Sequence, residues 1–353
     1  MGVKSVSQGS RSGKPATIKD VARAAGVSFS TVSRVVNSSK PVDEPTRQRV
    51  MQAIAELRYV PNTHARGLQT RQSRCLGIML PEIGSSGAAK FLEGAESCAR
   101  QAGYTLLLMT TAADTAREVE CFSTMRQQQV DGVLWVAATF TDAHQEWQQH
   151  HALPTVVLAQ DFSPHGLPSV LVDNYHAAFD AATYLLDHGH RRVAMITGDL
   201  NDRAVGLDRF RGFQDALAAR GVPLDPHLVE SGGASAQGRG VASYESGFQA
   251  MTRLLRHGPT AVLAASDNLA IGAMQCLLER GLRVPQDVSV MGFDDLDIAA
   301  HPTVRLTTVA FDFHQLGMLA ARTLIDQLTE GAAPPPVQLS PYRLALRDTV
   351  RTL

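Results

Sequence analysis

The chain has 353 residues, of which 44% are apolar, and a formal net charge of −1. This length predicts two or three folding units, and the composition is typical of a globular protein. The sequence lacks a run of the roughly 18 apolar residues that a membrane-spanning helix needs, and its four cysteines are spaced too widely for a zinc site or a disulfide framework. Since the first residues are polar and show no signal peptide, we predict a cytoplasmic protein. We also predict that it has no metal, no cofactor and no membrane partner.

The charge is distributed unevenly along the chain. Residues 1–72 carry twelve Lys and Arg against four Asp and Glu, whereas the rest of the chain carries 21 against 30. A basic segment attached to an acidic body is typical of a module that binds a polyanion such as DNA. A solvated basic tail would give the same count, so charge alone leaves both interpretations open.

The first part of the chain predicts three helices behind a flexible leader. Residues 1–15 are polar and rich in Ser and Gly, which favours disorder. In residues 16–60, Thr17 is a candidate N-cap for a first helix, Gly26 ends that helix, and Ser28 caps a second. A third helix follows a short loop. Two short helices joined through a glycine turn, with a third to close the core, predict a helix-turn-helix domain.

The pattern changes after Pro61, which ends the helical signal. Residues 61–73 are polar and predict a linker, and beyond them apolar strands alternate with amphipathic helices. This alternation is typical of parallel sheets with helices on both faces. Nine strands are many for one sheet, so we predict two doubly wound subdomains. The predicted strands cover residues 76–80, 105–110, 132–137, 155–158, 170–172, 192–196, 260–264, 289–292 and 306–309.

Several segments resemble the lactose/galactose repressor family of bacterial transcription regulators. The most specific is Ala16–Asn37, ATIKDVARAAGVSFSTVSRVVN, which looks like the family's DNA-binding headpiece. YVPN at 59–62 continues the match, and ARGL at 65–68 resembles the family's hinge. Further segments are similar to motifs of the family's core: HGHRRV at 188–193, SDNLAIGA at 266–273, GFDD at 292–295 and LTTV at 306–309.

The resemblance implies a fold. It predicts an N-terminal all-α helix-turn-helix headpiece, a hinge, and an α/β core over residues 74–353 that is similar to the periplasmic sugar-binding proteins. Such a core has two Rossmann-like lobes with an effector in the cleft between them. By analogy, the first lobe comprises about 74–173 and 307–335, and the second about 174–306 and 336–353.

The resemblance also places the second helix in the major groove of operator DNA. Its base-reading positions are Phe29, Ser30 and Arg34 here. Arg can donate two hydrogen bonds to guanine, Ser can bond several base edges, and Phe can touch a thymine methyl; the alternative for Phe29 is a partly buried ring that closes the turn. Phosphate contacts, which position the protein without reading sequence, are expected from Thr17, Thr31, Ser33, Asn37, Arg47 and Asn62, although the Ser and Thr residues are equally candidates for helix caps.

Leu68 is the candidate for a contact in the minor groove. In the family the hinge becomes helical on DNA, and a leucine from each subunit wedges into the minor groove at the operator centre, which kinks the duplex. The alternative is that Leu68 packs back on the core. Gly67 lowers the helix propensity of this segment by about 1 kcal/mol relative to a strong helix former.

The second candidate site is the effector cleft. Asp267 follows a predicted strand and opens a helix, and ligands of open α/β sheets bind at the carboxyl ends of the strands. The family uses this Asp to bind its effector, with a helix N-cap as the alternative role. By position, Phe313 supplies an apolar wall, and Asp161 completes the candidate set.

Two departures from the family bear on the effector. Sugar-binding members carry an arginine five residues before the position of Gly212, where Leu207 stands in this chain, so Arg203 or Arg209 is expected to replace it. Many members also have aromatic rings after the first strand, where this chain reads IGSSGAA at 83–89. We therefore expect a sugar, a sugar derivative, a nucleoside or a purine as the effector.

These signals predict a DNA-binding transcriptional regulator, most simply a repressor, whose affinity for a palindromic operator is controlled by a small effector. No heptad repeat follows the last predicted strand, so we expect a homodimer. One alternative is a transport binding protein, which the lack of a signal peptide and the specific headpiece disfavour. The other is a doubly wound enzyme, which the lack of a glycine-rich phosphate loop after the first strand disfavours; we predict no enzymatic activity.

Overall fold

The computed structural model describes residues 16–37, 40–59, 72–84, 86–137, 139–233, 243–331 and 333–353. The chain divides into two compact units, one from the N-terminus to Ser73 and one from Arg74 to Leu353. The predicted leader, most of the predicted hinge, and the predictions for Asn62, Leu68 and the side chain of Asn37 lie outside the described residues.

The described residues of the first unit form three helices: α1 is Ile18–Ala25, α2 is Phe29–Asn37 and α3 is Glu44–Leu57. All three fall where the sequence predicts them. Each helix buries one apolar face against the other two, which is the main source of stability for helices this short. The buried residues are Val21, Ala22, Ala25, Val32, Val50 and Ala53.

Caps and a glycine turn set the limits of these helices. The Thr17 side chain accepts a hydrogen bond from the Asp20 backbone N–H, and the Asp20 carboxylate accepts one from the Thr17 backbone N–H. Gly26 ends α1 with a backbone φ of 65°, a left-handed conformation that favours glycine. The helix-turn-helix geometry is therefore determined by local sequence signals.

The first lobe of the second unit is a six-stranded sheet in the order β11-β5-β4-β3-β1-β2, with every pair parallel. Its strands are β1 (Cys75–Leu80), β2 (Thr105–Thr110), β3 (Gly132–Val136), β4 (Thr155–Leu158), β5 (Ser169–Val172) and β11 (Val337–Ser340). The helices in this part of the chain are α4 (Ser86–Gln101), α5 (Thr115–Gln127), α6 (Asp142–His150) and α11 (Phe313–Glu330). Its central strands are apolar throughout because helices cover both faces of the sheet.

The second lobe repeats this plan in the order β12-β10-β9-β8-β6-β7. Its strands are β6 (Val193–Thr197), β7 (Val229–Ser231), β8 (Ala261–Ala264), β9 (Ser289–Asp294), β10 (Thr307–Phe311) and β12 (Tyr342–Ala345). The remaining helices are α7 (Asn174–Asp187), α8 (Arg209–Ala219), α9 (Tyr244–Leu254) and α10 (Asp267–Glu279). Only the β10–β12 pair is antiparallel among the described strands.

The lobe boundaries predicted from the sequence are wrong in two places. The segment 307–335 was assigned to the first lobe, but its strand β10 pairs with β9 and so belongs to the second. The segment 336–353 was assigned to the second lobe, but its strand β11 pairs with β5 and so belongs to the first. The described chain therefore crosses between lobes near Asp173, Asp312 and Pro341. These boundaries were predicted by analogy with the family, and the apolar strand pattern could not correct them, because it does not reveal which of two similar sheets supplies the backbone hydrogen-bond partners.

All nine predicted strands are present, and three further strands, β7, β11 and β12, were not predicted. Each of these has only three or four residues and lies at a sheet edge. Half-buried edge strands lack the continuous apolar run that identifies a central strand. Among the described residues, no helix has the length and apolar character to cross a membrane.

Helices α4 and α11 approach one another more closely than ordinary side chains allow. A Cβ built on Gly94 would lie 2.0 Å from the carbonyl oxygen of His314, and one on Gly317 would lie 2.1 Å from the carbonyl oxygen of Phe91. The two helices are thus in backbone contact at glycines of both partners. This contact attaches α11, which follows the second crossing, to the first lobe.

We expect the substitution Gly94→Ala to lower the free energy of unfolding of the core by about 1–3 kcal/mol, because the helices must separate to admit the methyl group. The measurement is the thermal unfolding midpoint by circular dichroism. Gly84→Ala is the matched control, since among the described residues beyond its chain neighbours no atom lies within 4 Å of a Cβ at that position. Equal midpoints for the two variants would contradict the close contact.

Candidate DNA-binding and effector sites

Helix α2 presents the three predicted base-reading side chains to solvent. Phe29 is 45% exposed, and Ser30 and Arg34 are also exposed, whereas Val32 on the inner face is fully buried. The Phe29 ring is not among the residues of the headpiece core, and both roles predicted for it stay predictions. The outer face of α2 therefore combines an aromatic, a hydroxyl and a guanidinium group within two helical turns.

One predicted phosphate contact, Thr17, is a helix N-cap in the structure. The Thr17 hydroxyl donates to the Asp20 carboxylate at 2.7 Å as part of the capping box of α1. The Thr31 hydroxyl lies 2.9 Å from that of Ser28, whose oxygen also accepts from the Thr31 backbone N–H at 3.2 Å. Arg47 is exposed at the start of α3, and Ser33 is half-buried. Contacts of these side chains with DNA stay predictions.

Arg209 is the centre of the second site. It is the first residue of α8 and is only 4% exposed. Its Nε donates to Asn174 Oδ1 at 2.7 Å, and its Nη1 donates to the carbonyl oxygen of Ala265 and lies 3.5 Å from Asp294 Oδ1. The guanidinium carbon lies 3.5 Å from the centre of the Phe293 ring. Burial lowers the pKa of Arg209, and the neighbouring carboxylates oppose that shift.

The backbone around this cation is strained. Asp294 has a φ of 115° and Asp295 a φ of 54°, a region that non-glycine residues rarely adopt. Asp295 is held in place by Arg347, whose Nη2 donates to its carboxylate at 2.6 Å. On the facing lobe Ala159 has a φ of 67°. Such conformations concentrate at functional sites, and Asp294 and Ala159 line the same cavity.

That cavity has a volume of about 260 Å³ and lies between the two lobes. A second cavity of about 300 Å³ shares part of its wall and extends into the first lobe. The second lobe supplies the polar wall, formed by Asn174, Arg209, Ser266, Asn268 and Asp294. Both cavities share the wall formed by Gly87, Ala88, Ala159, Phe313 and Leu316. Only the second cavity reaches Leu80, Phe91, Val136 and Leu158. The cleft is therefore polar at one end and mainly apolar at the other, where Glu82 is the one charged residue of the described lining.

Asp267 does not line this cavity. Its side chain is fully buried, and its carboxylate accepts hydrogen bonds from the Leu296 N–H at 2.7 Å and the Thr308 hydroxyl at 2.6 Å. Burial raises the pKa of Asp267, and the nearby carboxylate of Asp294 raises it further. The N-cap of α10 is Ser266, so the alternative role for Asp267 is also absent. Its contact with an effector stays a prediction.

The other predicted effector residues divide into two groups. Phe313 lines both cavities, and its ring centroid lies 4.5 Å from that of Phe311. Arg203 and Asp161 are not in the cavity wall: the Arg203 guanidinium lies 3.8 Å from a carboxylate oxygen of Asp208, and the Asp161 carboxylate accepts from the N–H and hydroxyl of Ser163. The structure therefore brings together Arg209 and Phe313 from the predicted set.

Sequence reasoning did not find four polar residues of the wall: Asn174, Ser266, Asn268 and Asp294. Two of them flank Asp267, and Asp294 lies in the GFDD motif, which we matched to the family's core without assigning Asp294 to the effector site. Asn174 begins α7 directly after the first crossing. Their positions in the sequence could have identified them, because residues that follow strands or crossings lie at the cleft.

Comparison with known proteins finds two family models in the chain. The model described as bacterial regulatory proteins, lacI family, matches residues 17–62, and that of a periplasmic binding protein-like domain matches residues 182–350. Similar proteins include catabolite control protein A of Priestia megaterium, 32% identical over 95% of this chain and 99% of that protein. The ribose operon repressor of Haemophilus influenzae is 34% identical over 89% and 92% of the two chains.

Solved structures give the same result for the fold. The lac repressor dimer bound to operator and the anti-inducer ONPF matches with a TM-score of 0.85 and 28% identity, over 96% of this chain and 100% of that one. A complex of the transcriptional regulator CelR with cellobiose matches with a TM-score of 0.70 and 30% identity, over 95% and 99%. The agreement extends over the headpiece and both lobes.

We expect Arg209→Ala to lower the free energy of unfolding by about 3–5 kcal/mol, because it leaves the buried Asp294 carboxylate without its cation. Burial already raises the pKa of Asp294 and the guanidinium opposes the shift, so the variant raises this pKa further. An acid whose pKa is higher in the folded state loses stability as the pH rises, and the deficit should be larger at pH 8 than at pH 5. Thermal unfolding at both values measures it.

The control for this prediction is Arg211→Ala, which removes an exposed arginine two residues along the same helix. It should leave the unfolding midpoint nearly unchanged at both pH values. A pH-independent deficit in Arg209→Ala would show that lost packing, and not the charge left at Asp294, is responsible.

Proposed function

The chain belongs to the lacI family of bacterial regulatory proteins, and from that premise we propose that it represses transcription as a homodimer on a palindromic operator, under the control of a small effector. It is a DNA-binding transcriptional regulator. We propose that it acts in the cytoplasm and that the cleft between its lobes binds without catalysing a reaction.

The observation that carries the proposal is the outer face of α2. A helix-turn-helix places its second helix in the major groove, with the N-terminal residues of that helix facing the base edges. Phe29, Ser30 and Arg34 occupy this part of α2 and are exposed. The net positive charge of residues 1–72 supplies the attraction to phosphate that accompanies such reading.

Homodimer formation and a palindromic operator are proposed together, because two-fold symmetry in a protein matches two-fold symmetry in its DNA site. The lac repressor structure is a dimer bound to operator, which supports the proposal for this chain. Each subunit then contributes one α2 to one half-site. We further propose that Leu68 enters the minor groove between the half-sites, and that Arg47, Asn37 and Asn62 contact phosphates.

The effector is proposed to lie across the polar and apolar ends of the cleft. A ligand with neighbouring hydrogen-bond donors and acceptors can donate to Asp294 and accept from Arg209. The opposite face of the ligand contacts Phe313 and Leu316, where a hydroxyl without a hydrogen-bond partner would make the free energy of binding less favourable. A sugar derivative with an apolar group, a nucleoside or a purine matches this division better than an unmodified hexose, whose hydroxyls surround the ring. Asp267 is proposed to support this site from beneath the wall.

The whole proposal is tested by removing the headpiece. Full-length protein should bind a palindromic duplex that it selects from a random pool, with an affinity that falls steeply as salt rises. A chain that begins at Arg74 should lose this binding while its core unfolds cooperatively by circular dichroism. Equal affinity of the two chains, measured by fluorescence anisotropy, would place the DNA site outside residues 1–73.

Base reading and phosphate contact are separated by two arginine variants. Arg34→Ala should weaken binding to the selected duplex by about 1–3 kcal/mol and relax the base preference at one position. Arg47→Ala should weaken selected and random duplexes by similar factors. Competition binding with both duplexes measures the ratio, and an Arg34→Ala variant with equal losses on the two duplexes would remove Arg34 from the base-reading set.

A further inference from the structure

One buried side chain bonds directly across the cleft. Gln160 follows β4 in the first lobe and is 2% exposed. Its Nε2 donates to the carboxylate of Asp202 in the second lobe at 2.7 Å, and its Oε1 accepts from the backbone N–H of Ala204 at 3.3 Å. The two contacts use the donor and the acceptor of the same amide, so they fix its orientation.

The partners of Gln160 belong to an ordered helix start. Asp202 caps a short π-helical segment, Arg203–Asp208, and its carboxylate also accepts from the Val205 N–H at 3.0 Å. Its capping role is satisfied within the second lobe. Gln160, in contrast, makes both of these hydrogen bonds to the other lobe, so they exist only while the lobes are together.

The contact borders the effector cavity on both sides. Ala159, next to Gln160, and Val205, next to Ala204, line the cavity. The π-helical segment leads directly into α8, whose first residue is Arg209. Gln160 therefore fixes the distance between the polar wall of the cavity, in the second lobe, and the apolar wall, in the first.

We propose that Gln160 is a positioning residue of the effector site, which keeps the lobes closed before an effector binds. This inference rests on the proposed effector control, and it adds that the closed cavity is the resting state of the core. The apparent dissociation constant of a ligand equals its intrinsic value divided by the fraction of the protein in the binding-competent state, so a protein that is already closed binds more tightly. Removal of the bridge then weakens every effector by the same factor, because no effector atom is involved.

A second contact between the lobes has a different character. Lys90 on α4 pairs with Asp297 of the second lobe, but the Asp297 side chain is 75% exposed and that of Lys90 is 38% exposed. Exposed ion pairs contribute little and are screened by salt. The buried amide bridge is therefore the contact whose removal should shift the lobe equilibrium.

The test measures the distance between lobes in the free, full-length protein. Spin labels at Gln145 on α6 and Gln214 on α8, both exposed, report this distance by double electron–electron resonance after dilution with unlabelled protein. The bridged protein should show one short distance. Gln160→Leu should add a longer population and raise the open-to-closed ratio about tenfold, which corresponds to about 1.4 kcal/mol.

Two further variants separate the bridge from general damage. Asp202→Asn keeps an oxygen that accepts from Gln160 and from Val205, so it should retain the short distance. Gln160→Glu places a second carboxylate against Asp202 and should open the lobes, which provides an independent measurement if Gln160→Leu folds poorly. An unchanged distance in both Gln160 variants would overturn the proposal.

Hydrogen exchange of the peptide that contains Ala204 completes the test. Faster exchange together with the longer distance supports the bridge as a closure device, whereas faster exchange at an unchanged distance shows a local contact only and overturns it. Neither measurement requires DNA or an effector. Failure here would leave the proposed function intact, and failure of operator binding would leave this result intact.

Discussion

The buried guanidinium of Arg209 is the constraint around which the core is organised. Removal of a charge from water costs several kcal/mol unless hydrogen bonds and an opposite charge compensate for it. Compensation here comes from Asn174 at the first crossing, the Ala265 carbonyl after β8, and the strained Asp294 at the end of β9. Three separate segments must therefore reach their final positions together before the cation is stabilised. The polar end of the cleft is the result.

The success of the sequence-based predictions depended on how far apart in sequence the residues that determine each feature lie. The headpiece was predicted residue by residue, since Thr17, Gly26 and Ser28 act on their immediate neighbours. The central strands were predicted because burial on both faces makes them apolar throughout. The fold class followed from their alternation with helices and from the family resemblance, and both lobes are present.

The candidate site was predicted less completely because side-chain direction depends on remote partners. Asp267 was expected to face the cleft, but Thr308, 41 residues away, and Leu296 draw its carboxylate inward. Arg209 was one of two alternatives, and its hydrogen bonds to remote partners distinguish it from the exposed Arg203. The sheet assignment of β10 and β11 failed for the same reason: it is settled by pairing between segments that are far apart in sequence.

The three crossings also limit how such a protein can evolve. Each lobe is assembled from separate stretches of chain, and β11 and β12 enter different sheets only one residue apart. No single cut in the gene separates one lobe from the other, so recombination cannot exchange a lobe without leaving a sheet short of a strand. The headpiece, in contrast, is one continuous stretch. New operator specificity can arise by exchange of a gene segment, whereas new effector specificity has to arise through substitutions within the cleft.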